Sequence, residues 1–398
     1  MKEIVMYIFA AYKFNSAYYE KVDLERAIRE AVTNAEAELK REFKDLRLQL
    51  IEQKEISSGE YVGEFVKGNL DKATITIFEL SDREPNVTFE LGYSTGIAGS
   101  RFTKREGHDI LIQSDNVSHR DTISDLLGKF IVSYKYDTIK RQKGEYSKIR
   151  KKIESELKRK IINLLEDERF LKRLIWRMYG EKVYVICPYI PPKDQMKYGI
   201  RSALSEYGDF NAVYEVCTFL NGILHCDVEY FHSKEESAIK KVLSKNHVVI
   251  VGGPMWNDCI EKFMKDYDLP YQHDWSREED VEDYIYCRID NREFRSKISR
   301  KGDKEFITKD YGIFAVLPNR YNDDKTLIII SGINTVGGLG AVRAFTEGET
   351  SHDNCKMVVK TVGLSDYFTT IIESDIPWGE FPYPRKIKEG EVIPYKDE

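Results

Sequence analysis

The first 138 residues of the chain alternate between apolar, β-rich runs and helical patterns, and this alternation restricts the fold more than any other feature. The β-rich runs are IVMYIFAAY, LRLQLIE, TITIFEL, HDILIQSD and KFIVSYK. Strand and helix units that alternate in this way predict a parallel sheet covered on both faces. We therefore expect a flavodoxin-like α/β domain over residues 1–138, with any ligand beyond the carboxyl ends of its strands.

A second α/β pattern begins at residue 181 and continues to residue 398. Its strand-like runs include KVYVIC, HVVIVGG and KTLIIISG, and a helical pattern follows each. Between residues 270 and 317, short runs separated by polar turns predict an antiparallel insertion. We expect a last helix over SDYFTTIIESD and an irregular arm after it. The second domain is interpreted as a ligand-sensing or assembly domain.

Length and composition limit the class of protein. A chain of 398 residues exceeds what one hydrophobic core usually serves, so two domains are expected. No apolar run is long enough to span a membrane, and the first residues resemble a strand rather than a signal peptide. Six scattered cysteines without a CxxC pair suit reduced thiols in the cytoplasm. No ligand pair has zinc spacing, so we expect no metal site.

The segment between the two domains, residues 139–180, is basic and helical in pattern. Residues 140–180 hold fourteen Lys and Arg against six Asp and Glu, a net charge of +8, while the whole chain carries −6. Its apolar residues recur at helical spacing from Ile149 to Leu165. Three interpretations are open: a connector with a solvated basic face, a helix that forms a homo-oligomer, and a contact surface for a partner protein or nucleic acid.

The turn SDREPN follows the run ATITIFEL and leads into a helical pattern from about residue 86 to residue 98. Glu90 lies in the predicted first turn of this helix, where Asn86 or Thr88 is available as the cap. The helix dipole there favours the ionised carboxylate. Because acids are common in first turns, the residues alone leave two interpretations open, a reactive carboxylate or a charge that complements the dipole.

Other residues near this predicted helix start suit a ligand site. Glu79 ends the preceding strand and Asp82 lies in the turn, so both are candidates to share a pocket with Glu90. Gly92 permits a close approach to a ligand, and Tyr93 is placed to stack on a base or to bind a ribose hydroxyl. Cleavage of a ribosyl C1′–N bond passes through an oxocarbenium-like state, which a carboxylate stabilises.

The segment ATITIFELSDREPNVTFELGYSTGIA resembles the signature of the nucleoside 2-deoxyribosyltransferase-like superfamily, which is allied to TIR-like NAD-cleaving domains. The matching features are a strand that ends in an acid, a short turn and Asn-Val-x-x-Glu-Leu-Gly at a helix start, here Glu79, Asn86, Val87, Glu90, Leu91 and Gly92. The resemblance covers residues 1–138. It implies an N-glycosidase site in which the catalytic and substrate-binding residues are Glu90 and Glu79, with Tyr12, Asp82, Asn86, Gly92 and Tyr93.

The family has aspartate where this chain has Glu79, which is one methylene longer. A hydrolase that admits water tolerates this difference better than a transferase that must hold an intermediate. We therefore expect hydrolysis of NAD or a related nucleotide without a cofactor. The resemblance also implies a cytoplasmic effector of bacterial antiviral defence. The open alternatives are a salvage deoxyribosyltransferase or nucleotide hydrolase, a non-catalytic nucleotide-binding protein and a nucleic-acid-binding regulator.

Two glycine turns in the second domain, VVIVGGPMWN and SGINTVGGLGAV, each follow a strand and open a helix. This arrangement directs backbone N–H groups towards an anion. Neither turn has the complete dinucleotide fingerprint or a P-loop lysine, so tight structural turns are an equally open interpretation. The residues predicted to contact a signalling ligand are Gly252, Gly253, Asn257, Asn334, Thr335, Gly337, Gly338 and Arg343.

Overall fold

The computed structural model describes residues 4–51, 62–101, 108–117, 131–134, 143–189, 199–275, 283–302, 304–364, 367–377 and 381–396. The chain divides into two compact units, Met1–Phe170 and Leu171–Glu398. The boundary between them falls inside the segment that the sequence predicts to be a connector. Much of that segment therefore belongs to the first unit.

The first unit contains five strands and four helices among its described residues. They are β1 (Ile4–Ala11), α1 (Lys21–Leu39), β2 (Leu46–Ile51), α2 (Val62–Lys72), β3 (Ile75–Glu79), α3 (Pro85–Arg101), β4 (Asp109–Ser114), β5 (Ile131–Tyr134) and α4 (Lys143–Leu165). All neighbouring strands pair in parallel, in the order β2-β1-β3-β4-β5. This is the flavodoxin-like order, so the predicted fold class is confirmed.

The centre of this sheet is apolar, as expected for parallel strands with helices on both faces. Every residue of β3 is buried. Phe78 and Leu80 pack with Val87 and Leu91 of α3 and with Leu70 of α2 in one hydrophobic cluster. Helices α2 and α3 therefore cover the same face of the sheet, and α1 packs against α4.

Helix α4 carries most of the basic stretch, and two of its basic residues pair with acids of α1. Its apolar stripe is buried inside the first unit, at Ile149, Ile153, Leu157, Ile161, Leu164 and Leu165. Arg150 pairs with Glu30 at 3.1 Å and Lys158 with Glu38 at 2.6 Å, both acids on α1. The unit buries this stripe itself, so the stripe is not free to contact a second copy, and a homo-oligomer formed through other faces of the helix stays a prediction.

The second unit contains the remaining elements. After α5 (Glu168–Trp176), which includes the boundary, they are β6 (Lys182–Cys187), α6 (Gly199–Gly222), β7 (Asp227–His232), α7 (Glu236–Leu243), β8 (His247–Val251), α8 (Asp258–Asp266), β9 (Tyr271–Asp274), β10 (Tyr284–Cys287), β11 (Glu293–Arg295), β12 (Lys297–Lys301), β13 (Lys304–Pro318), β14 (Thr326–Gly332), α9 (Thr335–Thr346), α10 (Gly348–Val362), β15 (Phe368–Asp375), β16 (Tyr383–Pro384) and β17 (Val392–Pro394).

These strands form a mixed sheet and a small antiparallel one. The main sheet has the order β16-β15-β13-β14-β8-β6-β7, with β12 paired to β13 and β17 to β15. Strands β7, β6, β8 and β14 are parallel, whereas β13 pairs antiparallel with both β14 and β15. Strands β9, β10 and β11 form the small sheet. The predicted second α/β domain with an antiparallel insertion is confirmed.

The end of the chain differs from the prediction in two elements. The run SDYFTTIIESD, predicted as a helix, contains strand β15 between β13 and the last strands. Its β-branched residues from Thr369 to Ile372 are all buried, because both faces of this strand are covered. The arm predicted to be irregular adds β16 and β17 to the edge of β15.

Two further observations concern the described residues alone. None of the described helices is both long enough and apolar enough to cross a membrane. The six cysteines are free thiols, and all but Cys217 are buried.

Candidate active site

The strand order of the first unit defines one crevice at the carboxyl edge of the sheet. Strand β1 has β2 on one side and β3 on the other, so the chain reverses its direction of winding between β1 and β3. Ligands bind outside strand ends at such a point. The loop after β1 and the turn after β3 meet here, since Lys13 Nζ lies 3.6 Å from Asp82 Oδ1 and 3.9 Å from Glu84 Oε2.

Glu79, the last residue of β3, is held at this edge by one of its two oxygens. Oε1 accepts hydrogen bonds from the Ser81 backbone N–H at 3.1 Å, from the Tyr134 hydroxyl at 2.9 Å and from the Ser81 hydroxyl. The Ser81 hydroxyl itself accepts from the Ser114 N–H at 2.7 Å, so its proton is directed to Glu79. Oε2 has no hydrogen-bond partner among the described residues.

Burial dominates the protonation of Glu79, which is only 3% exposed. Loss of solvent raises its pKa to about 7, and the hydrogen bonds from Ser81 and Tyr134 oppose this shift. The charge of Glu79 in turn helps burial to raise the pKa of the Tyr19 and Tyr134 phenols. Tyr19, whose hydroxyl donates to the Lys13 carbonyl at 2.7 Å, therefore also lies near the carboxyl.

Glu90 lies deeper in its helix than the sequence predicts. Helix α3 begins at Pro85, a residue suited to the first helical position because it needs no partner for a backbone N–H. Glu90 is therefore in the second turn, and neither Asn86 nor Thr88 is the cap. The Thr88 hydroxyl instead donates to the Glu84 carbonyl at 3.1 Å.

The Glu90 carboxyl is enclosed on the sheet-facing side of α3. It is 3% exposed, and its Oε2 has no hydrogen-bond partner among the described residues. Burial alone raises its pKa to about 7. Desolvation therefore opposes the ionised form that the helix dipole is expected to favour, and the dipole has little effect beyond the first turn.

The two carboxyls lie on opposite faces of the sheet. Phe78 and Leu80 share a cluster with Val87 and Leu91 of α3. Because successive side chains of a strand point to opposite faces, Glu79 leaves β3 on the side away from α3. Neither carboxylate contributes to the pKa shift of the other. The arrangement supplies two separate acid–base groups that titrate near neutrality.

The other predicted substrate-binding residues are less closely joined to these carboxyls. The Tyr12 hydroxyl donates to Glu25 Oε1 of α1 at 2.7 Å, and Tyr93 donates to Asp71 of α2 at 3.2 Å. Asn86 is exposed near the start of α3. Gly92 is also exposed, and two residues place it about 200° around the helix from Glu90. Gly92 therefore does not face the Glu90 carboxyl.

One turn beyond Glu90, Ser94 joins a buried polar cluster at the amino edge of the sheet. The Ser94 hydroxyl lies 3.0 Å from His108 Nε2 and donates to Asp109 Oδ1 at 2.9 Å. Asp109 Oδ1 lies 3.3 Å from the same Nε2 atom. A serine–histidine–acid relay needs the acid on the other ring nitrogen, so this cluster is structural.

In the first glycine turn of the second unit, the polar side chain of Asn257 bonds to other groups of the protein. Asn257 caps α8 by accepting from the Cys259 N–H at 3.1 Å, and its amide donates to the carbonyls of Ile186 and Val251. Gly252 has φ +121°, which favours glycine, and a Cβ there would lie 3.0 Å from Pro188. These contacts make Asn257 a structural cap rather than a ligand-binding residue.

The second glycine turn already contains an anion, supplied by the protein. The fully buried Asp310 carboxylate accepts from the N–H groups of Gly337 at 2.8 Å and Asn334 at 3.3 Å, at the start of α9. It also accepts from Ser296 Oγ at 2.7 Å. The prediction that this helix start binds a ligand anion is wrong, because Asp310 takes that place.

The remaining residues of this turn serve packing. A Cβ at Gly337 would overlap the Tyr311 carbonyl. A Cβ at Gly338 would have room, because the nearest atom, the backbone nitrogen of Gly332, would lie 3.7 Å away. Thr335 lies against Gly208 of α6. Arg343 binds both carboxylate oxygens of Glu215 on α6, at 3.0 and 3.1 Å from its Nε. Arg343 therefore joins two helices of the second unit.

Sequence reasoning missed Ser81 and Tyr134, which orient Glu79, and Tyr19, which lies near it. Ser81 could have been noticed, because it follows the predicted acid by two residues. Among the described residues, no group of three His, Cys, Asp or Glu side chains is arranged to hold a metal ion. Comparison of the chain with models of protein families finds no match, and comparison with curated proteins also finds none.

Proposed function

We propose that the first unit hydrolyses the N-glycosidic bond of NAD or a related nucleotide, with Glu90 and Glu79 as catalytic residues. One observation supports this most: two buried carboxyls, each with a pKa near 7, keep one oxygen without a partner among the described residues. Groups that titrate near neutrality suit proton transfer and charge stabilisation. A buried polar atom without a partner destabilises the fold, so stability does not account for this pair.

In the proposed reaction, the bond between C1′ and the base nitrogen breaks, and its electron pair leaves with the base. Ionised Glu90 stabilises the positive charge that develops on the ribosyl carbon, or attacks C1′ directly. Water then adds its oxygen to C1′ and transfers a proton to Glu79; where Glu90 has bonded to C1′, that bond breaks in this step and its electron pair returns to the Glu90 carboxylate. With NAD the products are nicotinamide and a sugar nucleotide with a hydroxyl at C1′. Nicotinamide leaves as a neutral molecule and needs no proton.

The hydrogen bonds at Glu79 suit the role of base. Three donors are directed at Oε1, so the incoming proton is accepted on Oε2. Tyr134 is a positioning residue in this scheme, because its hydroxyl acts on the reaction only through Glu79. The hydrogen bond it donates also lowers the pKa of Glu79 and keeps more of the carboxylate ionised at neutral pH.

The Tyr134→Phe variant is expected to change the pH profile of the reaction. Activity rises with pH as Glu79 and Glu90 ionise. Removal of the Tyr134 hydrogen bond raises the pKa of Glu79, so the acid limb of kcat/KM moves up by about one pH unit. The rate then falls at pH 7 and recovers at pH 8.5. An equal loss at every pH would mean that Tyr134 acts only on the fold.

The proposal includes control of the first unit by the second, because the nucleotide hydrolase of an antiviral effector must be kept inactive in the absence of a trigger.

The chemistry is tested by incubating the purified full chain with NAD, NADP, nucleosides and deoxynucleosides, with and without an added second base. A hydrolase releases free base and free sugar whether or not the second base is present. A new nucleoside built on the second base would instead identify a salvage transferase.

A further inference from the structure

The second unit has a buried carboxyl that no structural contact explains. Asp209 on α6 is 4% exposed, and its Oδ2 has no hydrogen-bond partner among the described residues. Burial raises its pKa to about 7, and no cationic side chain contributes to that shift. Asp310 of the same unit is as deeply buried but is held by Ser296, Asn334 and Gly337. Of these two buried aspartates, Asp209 is the one with an oxygen that has no partner among the described residues.

Asp209 lies level with the carboxyl ends of the parallel strands. Its charge contributes to the raised pKa of Cys187, the last residue of β6, so the two side chains are close. Its neighbour Gly208 lies against Thr335, the first residue of α9. Asp209 is thus placed between the end of β6 and the helix that follows β14.

The ends of β8 and β14 complete this edge. Gly252, directly after β8, lies against Pro188, directly after β6, and Gly253 approaches the carbonyl of Gly332 at the end of β14. The parallel strands have the order β7-β6-β8-β14, in which winding reverses between β6 and β8. The second unit therefore has its own crevice of the kind that binds ligands in open α/β sheets.

The groups around this crevice indicate the chemistry of a ligand. An anion is disfavoured, because Asp209 carries negative charge when ionised and Asp310 already occupies the start of α9. Half-buried aromatic residues, Tyr189 and Trp256, lie on the loops after β6 and β8 and are joined by a backbone hydrogen bond of 2.9 Å. The Tyr189 ring lies 5.8 Å from the His232 ring at the end of β7. Aromatic rings on loops at an edge that also holds a buried carboxyl suit a flat heterocycle that donates an N–H.

We propose that Asp209 anchors a ligand in the second unit, a nucleoside whose base carries an exocyclic amino group, with the amine donating to Asp209 Oδ2. The inference rests on the position of Asp209 Oδ2, a buried acceptor without a partner among the described residues, beside the ends of β6, β8 and β14. A regulatory role for this binding rests on the proposed function, because the ligand would then control the activity of the first unit. Binding itself does not depend on any catalytic activity.

The test measures binding by calorimetry to the full chain that carries Glu90→Gln, which prevents turnover in the first unit. The probes are adenosine, cytidine and guanosine, each with an amino group, and uridine, which has none. We expect at least one amino nucleoside to bind and uridine to bind at least tenfold more weakly at this site. Adding Asp209→Asn should weaken that binding at least tenfold. Any site in the first unit keeps its affinity in this variant.

Asp258→Asn is the matched control, because Asp258 is an exposed aspartate of the same unit that pairs with Lys234. It should bind like the parent. Unchanged binding in the Asp209→Asn variant overturns the inference, and so does the absence of heat with all three amino nucleosides. Tryptophan fluorescence shows whether each variant is folded. Base release by the wild-type chain is measured separately, so failure of the catalytic proposal and failure of this one are distinguishable.

Discussion

Replacing Glu90 with glutamine lowers the rate of base release about 10³-fold, because the amide no longer stabilises or attacks the ribosyl cation. Glutamine has almost the same shape as glutamate, so the packing of α3 against the sheet is retained. The rate is measured as free base released over time by the purified full chain. We expect the loss at every pH between 6 and 9.

The same substitution is expected to stabilise the first unit at high pH. Burial raises the pKa of Glu90 to about 7 in the folded chain, above its ordinary value. A raised pKa stabilises the fold at low pH, and this contribution is lost as pH rises through 7. Glutamine carries no charge, so the variant avoids that loss. Hydrogen exchange of peptides from β3 and α3 should be slower than in the wild type at pH 8.

Glu42→Gln provides the control for this experiment, since Glu42 is an exposed residue beyond the end of α1. It should keep the wild-type rate and the wild-type exchange. If the Glu90→Gln variant released base at the wild-type rate, Glu90 would be a structural carboxyl and the catalytic assignment would be wrong.

Replacing Asp310 with alanine is expected to destabilise the second unit by about 3 kcal/mol. The carboxylate satisfies the backbone N–H groups of Asn334 and Gly337, the Ser296 hydroxyl and the Tyr311 N–H. Alanine leaves these donors buried without an acceptor and removes the charge that complements the start of α9. The loss should exceed that of an ordinary surface substitution several-fold.

Tryptophan fluorescence during urea unfolding measures this effect selectively. The four tryptophans of the chain, at positions 176, 256, 275 and 378, all belong to the second unit. Asp290→Ala is the control, because Asp290 is a surface aspartate that pairs with Arg292. Equal urea midpoints for Asp310→Ala and Asp290→Ala would show that the start of α9 does not depend on Asp310.

Local patterns predict the first unit well because they determine its architecture. Alternating strand and helix runs are sufficient for a parallel sheet, and a carboxyl at the end of β3 must lie at the carboxyl edge. Glu79 could therefore be placed at that edge from the sequence, whereas the catalytic roles of Glu79 and Glu90 stay predictions. Helix α3 begins at Pro85 rather than after a cap at Asn86 or Thr88, so Glu90 lies in its second turn.

Contacts between distant segments explain what the sequence did not predict. Tyr134 reaches Glu79 from β5, and Asp310 reaches the start of α9 from β13, so both contacts depend on strand register. The glycine turn before α9 has the local form of an anion site, and only the fold shows that Asp310 occupies it. Asp209 offered one signal, an acid within the apolar helical run GDFNAVYEVCTFL, but its position at the strand ends required the sheet order.

The most direct test of the central claim incubates the wild-type chain with NAD in water labelled with ¹⁸O and follows the products by mass spectrometry. We predict release of nicotinamide and of ADP-ribose that carries one ¹⁸O at C1′, because water supplies that oxygen. The related nucleotides are tested in the same way. If one of them bound tightly but none lost its base, the first unit would be a nucleotide-binding domain and the proposed hydrolysis would be wrong.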